Sequence, residues 1–105
     1  MSTPEGKIQS TIIKHLRANG VYCWRNNNGA TYDRKINTYR SNPLAKRGVA
    51  DIIGILPGGI HLEIEVKTKT GKLSQEQAMH GKRVRDLGGT YIVARSVDDV
   101  LHLTQ

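Results

Sequence analysis

The sequence predicts an α/β domain in which a mixed β-sheet is flanked by helices, with elements in the order α-β-β-β-α-β-α. Three observations predict it. Near the N-terminus Ile8, Ile12 and Leu16 recur at four-residue spacing, as on one helix face. Two apolar-rich runs meet at Pro57-Gly58-Gly59, and the second alternates strictly between apolar and polar residues. Beyond them, a Ser-x-x-Gln pattern, a Gly-Gly pair and another apolar run follow in helix–turn–strand order.

Taken in order, the first helix should run from about Pro4 to Asn19. Ser2 or Thr3 can cap it, Pro4 suits its first turn and Gly20 stops it. Val21 to Arg25 reads as a short strand. Residues 26–47 read as a long polar loop, of the length that is usually functional or mobile. Val49 to Leu56 is apolar on both faces, as expected of a central strand. After the Pro-Gly-Gly turn, Ile60 to Lys67 puts Leu62, Ile64 and Val66 on one face and His61, Glu63, Glu65 and Lys67 on the other. Ser74 and Gln77 resemble a capping box opening a helix to about Leu87, ended by Gly88-Gly89. Thr90 to Ala94 is the fourth strand. Ser96-x-x-Asp99 then caps a short final helix with Val97, Val100 and Leu101 inward.

The 105 residues suit one domain with one modest core, burying roughly two thirds of the unfolded surface. Apolar residues make up 37% and the mean hydropathy is −0.47, as in a soluble domain. No apolar run reaches the roughly 20 residues of a membrane span. Met1 to Glu5 has no signal-peptide pattern, and the single Cys23 can form no internal disulfide. The expected location is therefore the cytoplasm.

Charge narrows the partner. Sixteen Lys and Arg against nine Asp and Glu give +7, which suits a polyanion such as nucleic acid. The segment from Arg25 to Arg47 holds Arg25, Arg34, Lys35, Arg40, Lys46 and Arg47 against Asp33 alone, so it carries +5 of that total. These six are the candidate DNA-binding residues. Tyr32, Tyr39 and five asparagines in the segment add groups that stack on bases or bond phosphates.

The chemistry gathers at the hairpin. If it is symmetric about Gly58, Leu56 faces Ile60 and Asp51 faces Glu65, each of the latter seven residues from the centre. Directly opposed residues have Cβ atoms about 4.5–5.5 Å apart, where like charges destabilise a sheet. Two carboxylates so placed suit a cation between them, and magnesium needs only one or two carboxylates besides water and substrate phosphate. Lys67 follows on the same face, roughly 6.5–7 Å further along. A metal that acidifies water, with a lysine on the nucleophile or the phosphate, supplies what phosphodiester hydrolysis requires. The plain alternative is a solvent face of paired Glu and Lys.

Gly48-Val-Ala-Asp51, thirteen residues, then Glu65-Val-Lys67 resembles the PD-(D/E)xK nuclease motif, with Ala50 where the family has proline. Glu5, the Trp24-to-Gly29 segment, the Gly71-to-Gln77 segment and the Gly89-to-Asp99 tail are similar to the VRR-Nuc family within that superfamily, and the chain length resembles its stand-alone phage members. The resemblance implies a restriction-endonuclease-like core and a DNA endonuclease using Mg2+ or Mn2+. It further implies Asp51, Glu65 and the Val66 carbonyl as metal ligands, Lys67 as catalytic, Glu5 reaching the metal site from the first helix and Gln77 from the second. Stand-alone members are homodimers associated with branched DNA such as four-way junctions.

Other readings compete at several positions. Glu5 could serve only the helix macrodipole, and Gln77 only the cap. Glu63 could be a second ligand or a salt-bridge partner, and His61, Glu63 and Glu65 imitate a zinc set that the lysine in their row argues against. His15, His80, His102 and Cys23 lack ligand spacing and read as packing or surface residues. Lys82, Arg83 and Arg85 read as a solvated helix face or an extension of the DNA surface. The rival functions are a basic DNA-binding module without catalysis and, among enzymes, an archaeal-type junction resolvase. Glu5 and the Gly71-to-Gln77 segment favour VRR-Nuc over the latter.

Overall fold

The hydroxyl of Thr3 accepts the Gly6 N–H at 2.9 Å, and with Pro4 in the first turn it starts α1 (Pro4–Ala18), which ends at Asn19. This computed structural model describes residues 3–26, 31–33, 35, 38–40 and 48–105, with the backbone alone at 31–33 and 38–40. Strand β1 (Tyr22–Arg25) follows, then two three-residue strands, β2 (Thr31–Asp33) and β3 (Thr38–Arg40), paired antiparallel. Next come β4 (Ile52–Leu56), β5 (Ile60–Val66), α2 (Gln75–Asp86), β6 (Thr90–Ala94) and a 3₁₀ helix over Val97–Thr104.

The main sheet has the order β1-β4-β5-β6. β1, β4 and β5 are antiparallel, whereas β5 and β6 are parallel and joined through α2. The sheet is therefore mixed, with helices on both sides, as the sequence predicts. The hairpin closes with Leu56 opposite Ile60, and the register continues to Ile52 opposite Ile64. One step beyond that pair lie Asp51 and Glu65.

α1 and the 3₁₀ helix cover one face. There Ile12, Leu16, Ile52, Leu62, Ile64, Val66 and Val100 are fully buried together, and burying a side chain of this size is worth about 1.5–3 kcal/mol. The opposite face carries His61, Glu63, Glu65 and Tyr91, and α2 packs over its β6 side. Gly81 permits that approach, because a Cβ there would lie 2.6 Å from the Tyr91 ring. Ser74 and Gln77 form the reciprocal capping box that opens α2.

Two parts of the expected order need correcting. β2 and β3 interrupt what reads as loop, because Thr31-Tyr-Asp and Thr38-Tyr-Arg are too short to display an alternating pattern. The last helix is 3₁₀, and Ser96 makes no side-chain capping bond; instead Asp99 Oδ2 accepts the Arg95 N–H at 2.8 Å. With three residues per turn, Val97, Val100 and Leu103 pack inward, and Leu103 takes the place expected of Leu101.

Candidate active site

Asp51 sits in a bend just before β4, held from both sides. Its carbonyl accepts the Asn26 N–H at 2.7 Å, and its Oδ2 accepts the Val66 N–H at 2.9 Å. The N–H and C=O of one strand residue point to the same neighbour, so the Val66 carbonyl also faces the Asp51 side. Glu65 is 3% exposed. Burial, then the charge and hydrogen bond of Asp51, and the more distant charge of Glu5, push its pKa up to about 8, against the opposing pull of Lys67. Glu65 thus keeps its proton at neutral pH. Lys67 Nζ lies 3.8 Å from Glu65 Oε2, largely buried.

The structure therefore brings Asp51, Glu65, the Val66 peptide and Lys67 to one end of the hairpin, with half-buried Glu5 within electrostatic reach. The donors are all oxygen, and Glu65 ionises reluctantly because burial and the Asp51 charge outweigh the pull of Lys67. Such a set fits a hard divalent cation that completes its shell with water and phosphate. Among the described residues no three His, Cys, Asp or Glu side chains form a ready-made cage.

Glu63 belongs to this end of the molecule in a way its row of the strand does not reveal. It is 3% exposed, accepting from the Ala50 N–H at 3.2 Å and lying 2.6 Å from His61 Nε2 and 2.8 Å from His80 Nε2. Burial alone would raise its pKa, but the bonds from His61, Ala50 and His80 outweigh it and hold the carboxyl below its ordinary value. Glu63 is thus an ionised strut fixing the peptide next to Asp51. His80, which reads as a packing or surface residue, is a partner of that strut. The available hint was that Gln77, His80 and Gly81 share one helical face.

Tyr91, opposite Glu63 in the parallel pair, adds a buried hydroxyl with no hydrogen-bond partner among the described residues. Burial first, then the charges of Glu65 and Glu63, hold its phenol far above the usual range.

The remaining candidates divide. The Gln77 side chain accepts from the Ser74 N–H at 2.9 Å, so it is turned to the cap of α2. Arg25 Nη2 donates to Gly6 O at 3.3 Å and Ser10 Oγ at 3.0 Å, tying β1 to α1. Lys35 is exposed. Arg34, Lys46 and Arg47, and the side chain of Arg40, lie outside the described residues. On α2, Lys82 pairs with Asp86 at 2.6 Å, and Arg85 lies over the Tyr91 ring, 5.3 Å from its centre. Cys23 is buried, and His15 Nε2 is 3.2 Å from Thr104 Oγ1. No described helix is long and apolar enough to cross a membrane.

No family model matches the sequence, and no curated protein matches it. Solved structures share its architecture. One described as a VRR_NUC domain superposes with a TM-score of 0.68 at 23% identity, covering 97% of this chain and 95% of its own. Another, a VRR_NUC domain protein, gives 0.69 at 18% identity over 98% of this chain and 86% of its own. At these identities the likeness shows the fold: a mixed four-stranded sheet flanked by helices, as in VRR_NUC domain structures.

Proposed function

We propose that the chain is a metal-dependent endonuclease of the PD-(D/E)xK type, hydrolysing phosphodiester bonds in DNA and selecting branched structures such as four-way junctions. The observation that carries this reading is buried Glu65 coupled to half-buried Asp51, with Lys67 Nζ 3.8 Å from Glu65 Oε2. The VRR_NUC fold and the +7 charge support it.

Asp51, Glu65 and the Val66 carbonyl would hold Mg2+ or Mn2+, with Glu5 adding negative potential. Bound there, the cation would polarise the phosphate and favour ionisation of the attacking water. The residues themselves do the rest. Glu65 would ionise more readily with a cation offsetting the Asp51 charge that raises its pKa. Lys67 Nζ is positioned to orient the nucleophile and offset charge growing on the phosphate. Glu63, braced by His61 and His80, holds the Ala50 peptide, which sets where Asp51 points.

The test is nicking of supercoiled plasmid and of a four-way junction with magnesium or manganese. Activity that EDTA abolishes and added metal restores is expected. Tight DNA binding with no cleavage under any metal would instead assign a basic binding module, in which Glu65 merely pairs with Lys67.

A further inference from the structure

α2 covers only the β6 side of the polar face, and at the far edge two aromatic side chains stand in the open. Tyr22 is 70% exposed and Trp24 37%. Their ring centres are 5.2 Å apart and the planes are tilted by 59°, so the rings are not stacked face to face. The register puts Trp24 opposite Ile53, and Ile53 opposite Glu63. Opposed residues share a sheet face, so both rings lie on the face that bears Glu65 and Lys67. Trp24 is two residues from Asn26, whose N–H bonds Asp51, hence about 7 Å along the strand from the catalytic end.

A groove of about 450 Å³ runs along this edge, lined by Arg17, Gly20, Val21, Tyr22, Cys23 and Trp24. Arg17 Nε donates to Cys23 O at 3.0 Å, which anchors the guanidinium beside the rings and spends one of its five donors. Exposed π-faces next to an anchored cation form the pair of features that single-stranded nucleic acid uses: bases stack and phosphates meet positive charge. An aliphatic patch would accept any apolar partner; two aromatics with an arginine, on a chain of net charge +7, favour a polyanion with flat rings.

We propose that this groove is a subsite for an unpaired nucleotide of DNA, whose base stacks on Trp24 or Tyr22 and whose phosphate meets Arg17. The proposal rests on the nuclease reading for its choice of DNA. It gives that reading a physical basis for selecting branched structures, since flaps and forks carry unpaired bases and an opened junction loses stacking at its centre, whereas plain duplex does neither.

Trp24 is the sole tryptophan, so its emission reports the contact directly. The experiment titrates the full chain in EDTA with a short oligodeoxythymidylate and, separately, with a blunt duplex. Saturable quenching by the oligonucleotide is expected, with little by the duplex. Tyr22→Ala and Trp24→Leu, followed by anisotropy of a labelled oligonucleotide, should each lower the preference for single strand over duplex about fivefold or more. Unchanged emission overturns the subsite, and does so whether or not the same protein nicks plasmid. Absence of metal-dependent nicking alongside quenching would sink the nuclease reading and leave the subsite standing. If Trp24→Leu splits a dimer without altering oligonucleotide affinity, a second copy covers this face and the proposal fails.

Discussion

Glu65 ties the stability of the metal-free site to pH. Because the folded pKa of Glu65 is raised from an ordinary 4.5 to about 8, its protonated form is the one folding favours. That stability is fully present below about pH 4.5 and is lost as pH rises towards 8. Metal-free protein should therefore lose thermal stability across pH 5 to 8, and Glu65→Gln should flatten this slope while abolishing cleavage. A steep slope that survives the substitution would remove Glu65 as its cause. Asp51→Ala should likewise abolish cleavage and make the slope shallower, since the Asp51 charge helps raise the Glu65 pKa, while loss of the acceptor of the Val66 N–H should cost about 1–3 kcal/mol of stability. Glu63 behaves differently because its charge is satisfied. Glu63→Ala removes the carboxylate that accepts from the Ala50 N–H and lies against His61 and His80, and should lower cleavage roughly 10–100-fold through loss of positioning. Glu63→Gln, which still accepts from Ala50, should recover part of it. The distinguishing measurement is the metal concentration for half-maximal rate, which should rise in Glu63→Ala; an unchanged value would assign Glu63 to stability alone.

Elements place these groups through backbone that only certain residues tolerate. Gly48 has φ +84°, and a Cβ there would lie 2.6 Å from the Glu76 carbonyl oxygen in the first turn of α2. Gly20 has nearly the same φ, +85°, but open space around it. Gly20→Ala should therefore cost only the backbone term, about 1–2 kcal/mol. Gly48→Ala should cost that and about 1–3 kcal/mol of overpacking, with the Asp51 turn displaced. Urea midpoints compare them, and equal losses would show that the α2 contact yields freely. The strength of local patterns also decides what was legible. β5 and its turn were readable because alternation and Pro-Gly-Gly are local, and Asp51 opposite Glu65 follows by counting. β2 and β3 were not, because three residues cannot show a period. The Glu63–His80 contact spans seventeen residues and needs α2 to fold back over the sheet, so no spacing within either element announces it. The Tyr22–Trp24 pair was hidden for a related reason: β1 alternates, yet its sequence does not say that α2 leaves that face open.

At the scale of the whole molecule, charge and assembly set what DNA it holds. The Arg25-to-Arg47 segment carries +5, and neutralising Arg34, Lys35 and Arg40 together should flatten the log–log salt dependence of binding by about 0.9 per lost phosphate contact. An unchanged slope would mean that this segment does not meet the backbone. Assembly follows from geometry. One hairpin end holds one carboxylate pair, so under the proposed function one chain would cut one strand at a time, whereas a four-way junction presents equivalent strands about a two-fold axis. A C₂ pair would match that symmetry, and C₂ is the commonest closed arrangement. In the sequence, Ile36, Leu44 and Val49 are apolar residues within or beside an otherwise polar stretch. Light scattering at micromolar concentration should therefore report twice the 11.7 kDa chain mass. Trp24→Leu should leave that mass unchanged, because the aromatic groove is assigned to DNA and the pairing surface lies elsewhere. A monomer equally active on junction and blunt duplex would refute both the pair and the junction preference, while leaving the Asp51–Glu65 chemistry to be judged by its metal dependence.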